Sequence, residues 1–590
     1  MTSIKQLELM ADKLRIHSLE STTEAGSGHA TSCLSCAEIM SCLFFSELTE
    51  HDEFILSKGH AAPILWASYA EAGAIPVSGL KTLRKIYSNL EGHPTARMPW
   101  IKVATGSLGQ GLAAGVGMAL VKKLCEESGR IYVLLGDGEC AEGSVWESAN
   151  TAAYYKLNNL CAVVDANGLG QSGQTMHGYD LGAYEKKFRA FGWETKVING
   201  HSVKEILDAF DLAKNSKRPF VIIARTVKGK GVSFLENKEG WHGKALSREE
   251  LDRAVWEIGR TDVKLSSRIS FHRLVCRSAD FKINSYKIGE IVSTRDAFGR
   301  ALSSLGEANK NVIVIDGDVK NSTKTEYFFR QFPKSSVQSF IAEQNMAGMA
   351  IGISAMGLVP FVSTFSCFLS RAHDFIRMAQ YSNANIKFVG SHAGVSIGND
   401  GPSQMGLEDI SMFLSMPDSV ILYPSDAVSA ENLTKEMLKH RGISYLRTTR
   451  EKTPVLYRND EKFKIGGLKV LKKSNKDRAL VIAAGITVHE ALKAHEKLLK
   501  KGISIRIIDL YSVKPFDAKE LLKNAKECKN RVIVVEDHYF GGIGNAVSPV
   551  LGKIEHLHVK EIPRSGMPGE LMEKYEIDSS AIVKKVMKAR

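Results

Sequence analysis

Short apolar runs alternate with helix-spaced segments along most of the chain. Residues 131–135 and 160–164 read as strands with a helical stretch between them, and each run closes on small polar residues. The first ends in Gly136-Asp137-Gly138, the second in Asp165-Ala166-Asn167. That alternation predicts parallel sheets built from βαβ units. It persists over 1–262, lapses over 263–288, which reads as a linker, and resumes over 289–450 with strands at 312–316, 386–390, 419–423 and 443–447. A polar break follows. Residues 465–590 then carry strands at 479–483, 504–509 and 531–536. The fold class expected is α/β, three consecutive domains with mainly parallel sheets, in keeping with 590 residues being too long for one core. The first twenty residues alternate apolar and charged positions at helical spacing, which predicts a surface helix and not a signal or transit peptide.

Composition narrows the partners. Lys and Arg number 78 against 65 Asp and Glu, a net charge of +13. The charges are spread along the chain without a basic-aromatic platform, so no nucleic-acid partner is expected. No apolar run approaches the ~18 residues of a membrane span, and no membrane partner is expected. A mildly basic surface suits phosphorylated substrates. The nine cysteines are dispersed and odd in number, which reads as a reduced, cytoplasmic protein. Cys33 and Cys36 have CxxC spacing, but no second pair completes a zinc site. The final residues match no prenylation or peroxisomal tail.

The strand ends carry the chemistry. Asp137 and Asn167 lie one βαβ unit apart, and parallel strands place their carboxyl ends on the edge where α/β proteins bind ligands. A carboxylate and an amide oxygen there suit a hard divalent cation that also holds phosphate oxygens, and flanking glycines admit those phosphates closely. Gly-Asp-Gly alone is a common turn; the Asn at the next strand end favours the metal reading. A second stretch echoes the first: Asp316-Gly317-Asp318, then Glu343-Gln344-Asn345. Spacing leaves it open as a rival metal site. Glu343, however, sits between apolar Phe340-Ile341-Ala342 and a small-residue helix from Met346. Burial there is expected to raise its pKa and let it donate a proton near neutrality. The competing reading is a glutamate favoured by a helix N-terminus.

These motifs, with others in order, resemble the transketolases, animal-type form, over nearly the full length. The blocks are Gly26-Ser-Gly-His29, Leu56-Ser-Lys-Gly-His60, Glu91-Gly-His93-Pro, Ala104-Thr-Gly106-Ser107-Leu108-Gly-Gln-Gly111, Gly136-Asp-Gly138-Glu139, Asn167-Gly-Leu169-Gly-Gln-Ser172, Trp241-His242-Gly243, Asp318-Val-Lys-Asn-Ser322, Ala342-Glu343-Gln-Asn-Met, Gly390-Ser-His392, Asp400-Gly-Pro-Ser-Gln404 and Leu446-Arg447-Thr. The resemblance implies a thiamine-diphosphate-binding fold: a pyrophosphate domain, a pyrimidine domain and a transketolase C-terminal domain, paired in a homodimer with active sites between subunits. It implies transfer of a two-carbon ketol unit from a ketose phosphate such as xylulose 5-phosphate to an aldose phosphate such as ribose 5-phosphate or erythrose 4-phosphate, in the pentose phosphate pathway.

Site residues follow by the same resemblance. Asp137, Asn167 and the Leu169 carbonyl would hold Mg²⁺ or Ca²⁺. Ser32, His60, Gly106, Ser107, Leu108, Gly138, Lys228 and His242 would surround the thiamine diphosphate, with Phe365 and Phe368 stacking on its pyrimidine, Gln404 nearby, and Glu343 activating the ring nitrogen. His29, His93, His242 and His392 would move protons near neutral pH. Asp400 would read the donor's hydroxyl stereochemistry, and Arg295, Ser322, His392 and Arg447 would clamp the terminal phosphate. Ala30 stands where proline is usual and Gly168 where arginine is usual, and the connection between Leu48 and Phe54 is short. Cys140 and Cys367, beside the cofactor blocks, are expected to be oxidation-sensitive. Two alternatives share the motifs: a deoxyxylulose-phosphate-synthase-like enzyme acting on pyruvate, and a non-catalytic transketolase-like regulatory protein. The latter expects lesions at Asp137, Glu343 or the histidine blocks, and none is present.

Overall fold

The computed structural model describes residues 2–269 and 281–588; residues 270–280 of the expected linker lie outside the described residues. The chain divides into two compact units. One takes the described residues up to 269 together with Ala347–Gly357 and Tyr381–Asn383; the other takes the remainder.

The first unit holds a five-stranded sheet of β1 (Glu53–Leu56), β2 (Ile131–Gly136), β3 (Leu160–Ala166), β4 (Glu194–Asn199) and β5 (Phe220–Arg225), in the order β1-β2-β3-β5-β4. All pairs are parallel. Every residue of β2 and β3 is buried, as continuous apolar runs must be when helices cover both faces. Their register sets Gly136 opposite Asp165, so Asp137 and Asn167 emerge past neighbouring strand ends. The helix Ile4–Ala25 starts on a reciprocal Ser3–Gln6 cap and buries Leu7, Met10, Ala11 and Leu14, one face at helical spacing.

Helix Gly111–Leu124 is buried almost all round. Its glycines are there for contact. A Cβ on Gly117 would meet the Met349 carbonyl oxygen at 2.1 Å, and one on Gly352 would meet that of Ala114 at 1.9 Å. The small-residue character of helix Glu343–Ala355 therefore has a packing cause: two backbones in direct approach.

The second unit contains two larger sheets. The strands are β6 (Ile291–Ser293), β7 (Val312–Asp316), β8 (Ser336–Gln338), β9 (Val359–Phe365), β10 (Lys387–Ser391), β11 (Val420–Leu422), β12 (Ser444–Arg447), β13 (Lys452–Pro454), β14 (Lys469–Lys472), β15 (Asp477–Ala483), β16 (Ser504–Asp509), β17 (Ser512–Lys514), β18 (Val532–Val535) and β19 (Glu555–Leu557). Seven form one sheet, ordered β17-β11-β12-β10-β9-β7-β8, in which only β17 runs antiparallel. Five form another, ordered β14-β16-β15-β18-β19, with β14 the antiparallel edge. β6 and β13 make a small antiparallel pair.

Gly352→Val is expected to lower stability by at least the ~1–3 kcal/mol of ordinary overpacking, because the obstructing atom is backbone. Thermal unfolding followed by circular dichroism measures it; an unchanged midpoint would show that the helices are not locked at this contact.

Candidate active site

The end of β2 and the end of β3 form one polar nest. Asp137 is 5% exposed. Its Oδ2 accepts from the Gly168 N–H at 2.7 Å and the Thr175 hydroxyl at 3.0 Å, and its Oδ1 from the Gly138 N–H at 2.8 Å. Burial, then the nearby Asp165, pushes its pKa up. Asn167 donates its amide to Asp165 at 3.3 Å, leaving Oδ1 facing the Leu169 N–H at 3.2 Å. Lys228 donates to the Leu169 carbonyl at 2.7 Å, the Gly170 carbonyl at 3.2 Å and the His242 ring at 2.7 Å. Its pKa is lowered to about 8, first by burial and then by Lys58. A carbonyl oxygen has two lone pairs, so the contact with Lys228 leaves Leu169 able to accept a second ligand.

Two anchors here were not among the residues expected from the sequence. Asp165, with no exposure, accepts from Ser35 at 2.7 Å and from Lys58 and Thr226. Lys58 also donates to the Ser32 carbonyl at 2.9 Å. Glu139, also buried, accepts from Ser57 at 2.5 Å, Gly109 N–H at 2.9 Å and Gly136 N–H at 3.0 Å, tying β2 to the loop that carries Gly106, Ser107 and Leu108.

Four expected histidines meet in this unit. His29 lies 5.4 Å from His60, 5.8 Å from His93 and 5.1 Å from His242, between ring centroids, and His60 lies 5.2 Å from His242. Burial is the first cause holding all four below the usual imidazole range. His29 falls to about 4, with His93 and Arg84 adding, and His242 to about 3, with Lys228 adding. His60 and His93 are lowered too, with Lys58 and Arg84 their next causes. At pH 7 the rings are neutral, each with one nitrogen to donate and one to accept. Gly106 is required beside them: a Cβ would stand 2.8 Å from the His93 ring.

The second unit gathers the other group. Phe365, at the end of β9, stacks on Phe368 at 5.2 Å with 6° between planes, and on His392 at 3.8 Å with 12°. Arg295 follows β6, Ser322 follows β7, and His392 and Asp400 follow β10. Arg295 donates to the Ser322 carbonyl at 3.1 Å, and its Nε is buried with no partner. His392 falls to about 3, through burial and then Arg295 and Arg450. Arg450, past the end of β12, reaches Asp400 at 2.6 Å with about two-fifths of each side chain exposed. Glu343 opens its helix at 5% exposure, with Arg371 3.5 Å away.

Family models match in chain order: "Transketolase, thiamine diphosphate binding domain" over residues 6–265, "Transketolase, pyrimidine binding domain" over 290–455 and "Transketolase, C-terminal domain" over 468–582. The chain belongs to the transketolase family. It is similar to the transketolase of Homo sapiens, 45% identical across 99% of this chain and 97% of that one, and to that of Mus musculus at 46% with the same coverage. Its structure is similar to that of a transketolase from Campylobacter jejuni, with a TM-score of 0.89 and 25% identity over 99% of this chain and 100% of that one.

The residues fit the transketolase cofactor, thiamine diphosphate. The Ser32 hydroxyl and His29 Nδ1 are buried beside the nest with no partner, and the donor set at the strand ends is that of a hard cation with phosphate. Asp316 is taken up by Thr323, Thr325 and the Val319 N–H, and Asp318 by Gln338.

Three expectations change. Arg447 cannot clamp a phosphate. As the last residue of buried β12 it has no exposure, and it gives Nε to Asp409 at 2.8 Å and Nη2 to the Gly406 and Asp537 carbonyls at 2.7 and 3.0 Å. Arg450, three residues on, holds the open position. Glu343 is buried as expected, at 5% exposure, but Phe340 and Ile341 of the apolar flank are 37% and 72% exposed. Cys140 and Cys367 are not primed for oxidation. Burial pushes the Cys140 thiol well up and that of Cys367 to about 12, where thiolate is scarce. Cys33 and Cys36, both buried, are likewise raised to about 12, and among the described residues no group of three or more His, Cys, Asp or Glu could hold a metal.

An unfolded histidine takes its proton near 6.5, whereas folded His29 waits until about 4 and His242 until about 3. Their contribution to stability is complete above that unfolded value and is lost as pH falls from about 6.5 toward 4. Urea midpoints should therefore drop between pH 7 and pH 5, and less steeply in His29→Asn/His242→Asn. Equal slopes in both proteins would rule out a dry site around these rings.

Proposed function

We propose that this thiamine diphosphate-dependent transketolase moves a two-carbon ketol unit from a ketose phosphate such as xylulose 5-phosphate to an aldose phosphate such as ribose 5-phosphate or erythrose 4-phosphate. The observation that carries this is the grouping of Arg295, His392, Asp400 and Arg450 beyond the carboxyl ends of β10 and β12 and at the close of β6. Two guanidiniums, an imidazole and a carboxylate suit a phosphorylated polyol, since guanidinium forks match phosphate and carboxylate accepts hydroxyl protons. Transketolases from Pichia stipitis have been solved in complex with sedoheptulose 7-phosphate and with xylulose 5-phosphate, sugar phosphates of this class. We further propose a homodimer with active sites between subunits, in the cytoplasm. The eight described cysteines are all free, which agrees with a reducing compartment.

In this reading Asp137, Asn167 and the Leu169 carbonyl would hold Mg²⁺ or Ca²⁺. Ser32, His60, Gly106, Ser107, Leu108, Gly138, Lys228 and His242 would line the diphosphate and thiazolium end. Phe365, Phe368, Gln404 and Glu343 would receive the pyrimidine. The bound cofactor supplies the carbanion chemistry and the electron sink. The chain's own work is positioning and proton transfer. Glu343 hydrogen-bonds the ring nitrogen, and neutral His29, His93 and His242 pass protons to and from substrate hydroxyls. Asp400 fixes hydroxyl orientation, while Arg295, Ser322, His392 and Arg450 hold the phosphate.

Purified protein with thiamine diphosphate and Mg²⁺ should transfer between xylulose 5-phosphate and ribose 5-phosphate. Absence of transfer, or turnover of pyruvate instead, would overturn the reading. Arg450→Ala should raise KM for phosphorylated substrates about 10–100-fold with kcat little changed, the scale of a lost charged hydrogen bond. Arg447→Ala should instead cost stability, about 3–5 kcal/mol, by leaving Asp409 buried without its partner. Kinetics and denaturant unfolding of both variants separate the two roles. Glu343→Gln should abolish transfer while cofactor binding, followed by tryptophan fluorescence, persists; an active Glu343→Gln enzyme would remove Glu343 from catalysis.

A further inference from the structure

The surplus of positive charge is not spread evenly through the fold. Residues 465–590 hold 24 Lys and Arg against 15 Asp and Glu, so nine of the chain's net 13 positive charges fall there. Topology concentrates them further. β15, β16, β18 and β19 are parallel, so the turns that enter them share one edge of the sheet. At that edge lie Lys472, the last residue of β14, and Lys476 before β15; Lys500 and Lys501 before β16; and Lys526, in the last turn of helix Ala518–Glu527, and Lys529 before β18. All six side chains are exposed, and none has a carboxylate within ion-pair reach among the described residues. The carboxylates of Asp477 and Glu527 on this edge are both engaged by Arg506.

Two apolar side chains stand among these lysines. Leu499, the last residue of helix Ile486–Leu499, is 49% exposed, and Met587, near the end of helix Ser579–Lys588, is 44% exposed. The two helices pack together, and Arg478 at the start of β15 donates to the Met587 carbonyl at 3.1 Å, holding that helix end at the same edge. Lysines at helix C-termini do answer the helix dipole, and lysines on an edge strand discourage aggregation. Neither effect accounts for the turn lysines 476 and 529, or for aliphatic groups exposed between them.

We propose that this edge of the C-terminal sheet is a peripheral docking surface for an anionic lipid bilayer, with the lysines facing the headgroups and Leu499 and Met587 entering the interface. Polybasic clusters bind anionic leaflets without a spanning segment, so the lack of an apolar run long enough to cross a bilayer does not bear on it. Nucleic acid fits less well. Base-stacking platforms need aromatic faces, and the exposed aromatic of this domain, Phe540, lies past the opposite end of β18.

The test is vesicle co-sedimentation of the full chain. Vesicles of phosphatidylcholine with phosphatidylserine should bind at low salt and release as ionic strength rises, while phosphatidylcholine alone should not bind. Lys500→Gln/Lys501→Gln should weaken partitioning about 30-fold and Leu499→Ser about tenfold, on the usual scale per surface lysine and per buried leucine. Both variants should keep wild-type transfer activity, which shows that they fold. No binding to phosphatidylserine vesicles at low salt, binding indifferent to these substitutions, or retention by RNA in preference to vesicles would each overturn the proposal.

Discussion

The buried Asp165–Lys58 ion pair is the constraint on which the first unit's ligand edge rests. Asp165 ends β3 and has no solvent contact, yet four donors converge on it. They come from the residue after helix Ala30–Leu34, from the turn after β1, from the turn after β5, and from Asn167 itself. One carboxylate therefore sets the relative positions of three strand ends and of the segment carrying Ser32. A charge this deep is tolerable only while every partner is present, and losing one typically costs about 3–5 kcal/mol. The same bond orients the Asn167 amide, turning its oxygen away from Asp165. Fixing ligands through outer hydrogen bonds in this way is how proteins tune cation sites.

The two candidate groups, one in each unit, differ in charge and in hydration. The histidine group is dry and neutral, with cationic Lys58, Lys228 and Arg84 close enough to discourage protonation. The group around Asp400 is wetter, and there Arg450 shares its charge with a half-exposed carboxylate. The first arrangement suits exchange of single protons, the second suits capture of a charged group from water. Arg447 shows the contrast. Its guanidinium, at the end of β12 and three residues before Arg450, is fully buried against Asp409 and stacked 4.6 Å from the Tyr423 ring, where it supports the fold.

Much of this was legible in the sequence, and the misses have physical causes. Continuous apolar runs mark the central strands because both faces of a covered parallel sheet are dry, and strand-end Asp137 and Asn167 follow from that register. β9 is concealed by Pro360, which pairs opposite Ile313 inside the sheet where proline ordinarily argues against a strand. Arg447 and Arg450 are indistinguishable as letters in LRTTR; what separates them is that β12 stops between them. Phe340 and Ile341 read as an apolar wall, but hydrophobic letters do not establish burial, and both face outward. Lys58 and Asp165 lie within motifs that were plain to see. Their partnership joins residues 107 positions apart and has no local signature.

The closeness of the four imidazoles has a further consequence. His29 touches three others at 5–6 Å, a separation at which two positive charges repel strongly in a poorly hydrated site. A proton accepted by any one ring must weaken the proton affinity of the rest. The group therefore titrates as a coupled set and not as four independent bases. Charge placed on one ring therefore opposes charge on its neighbours, which keeps the group neutral as a body.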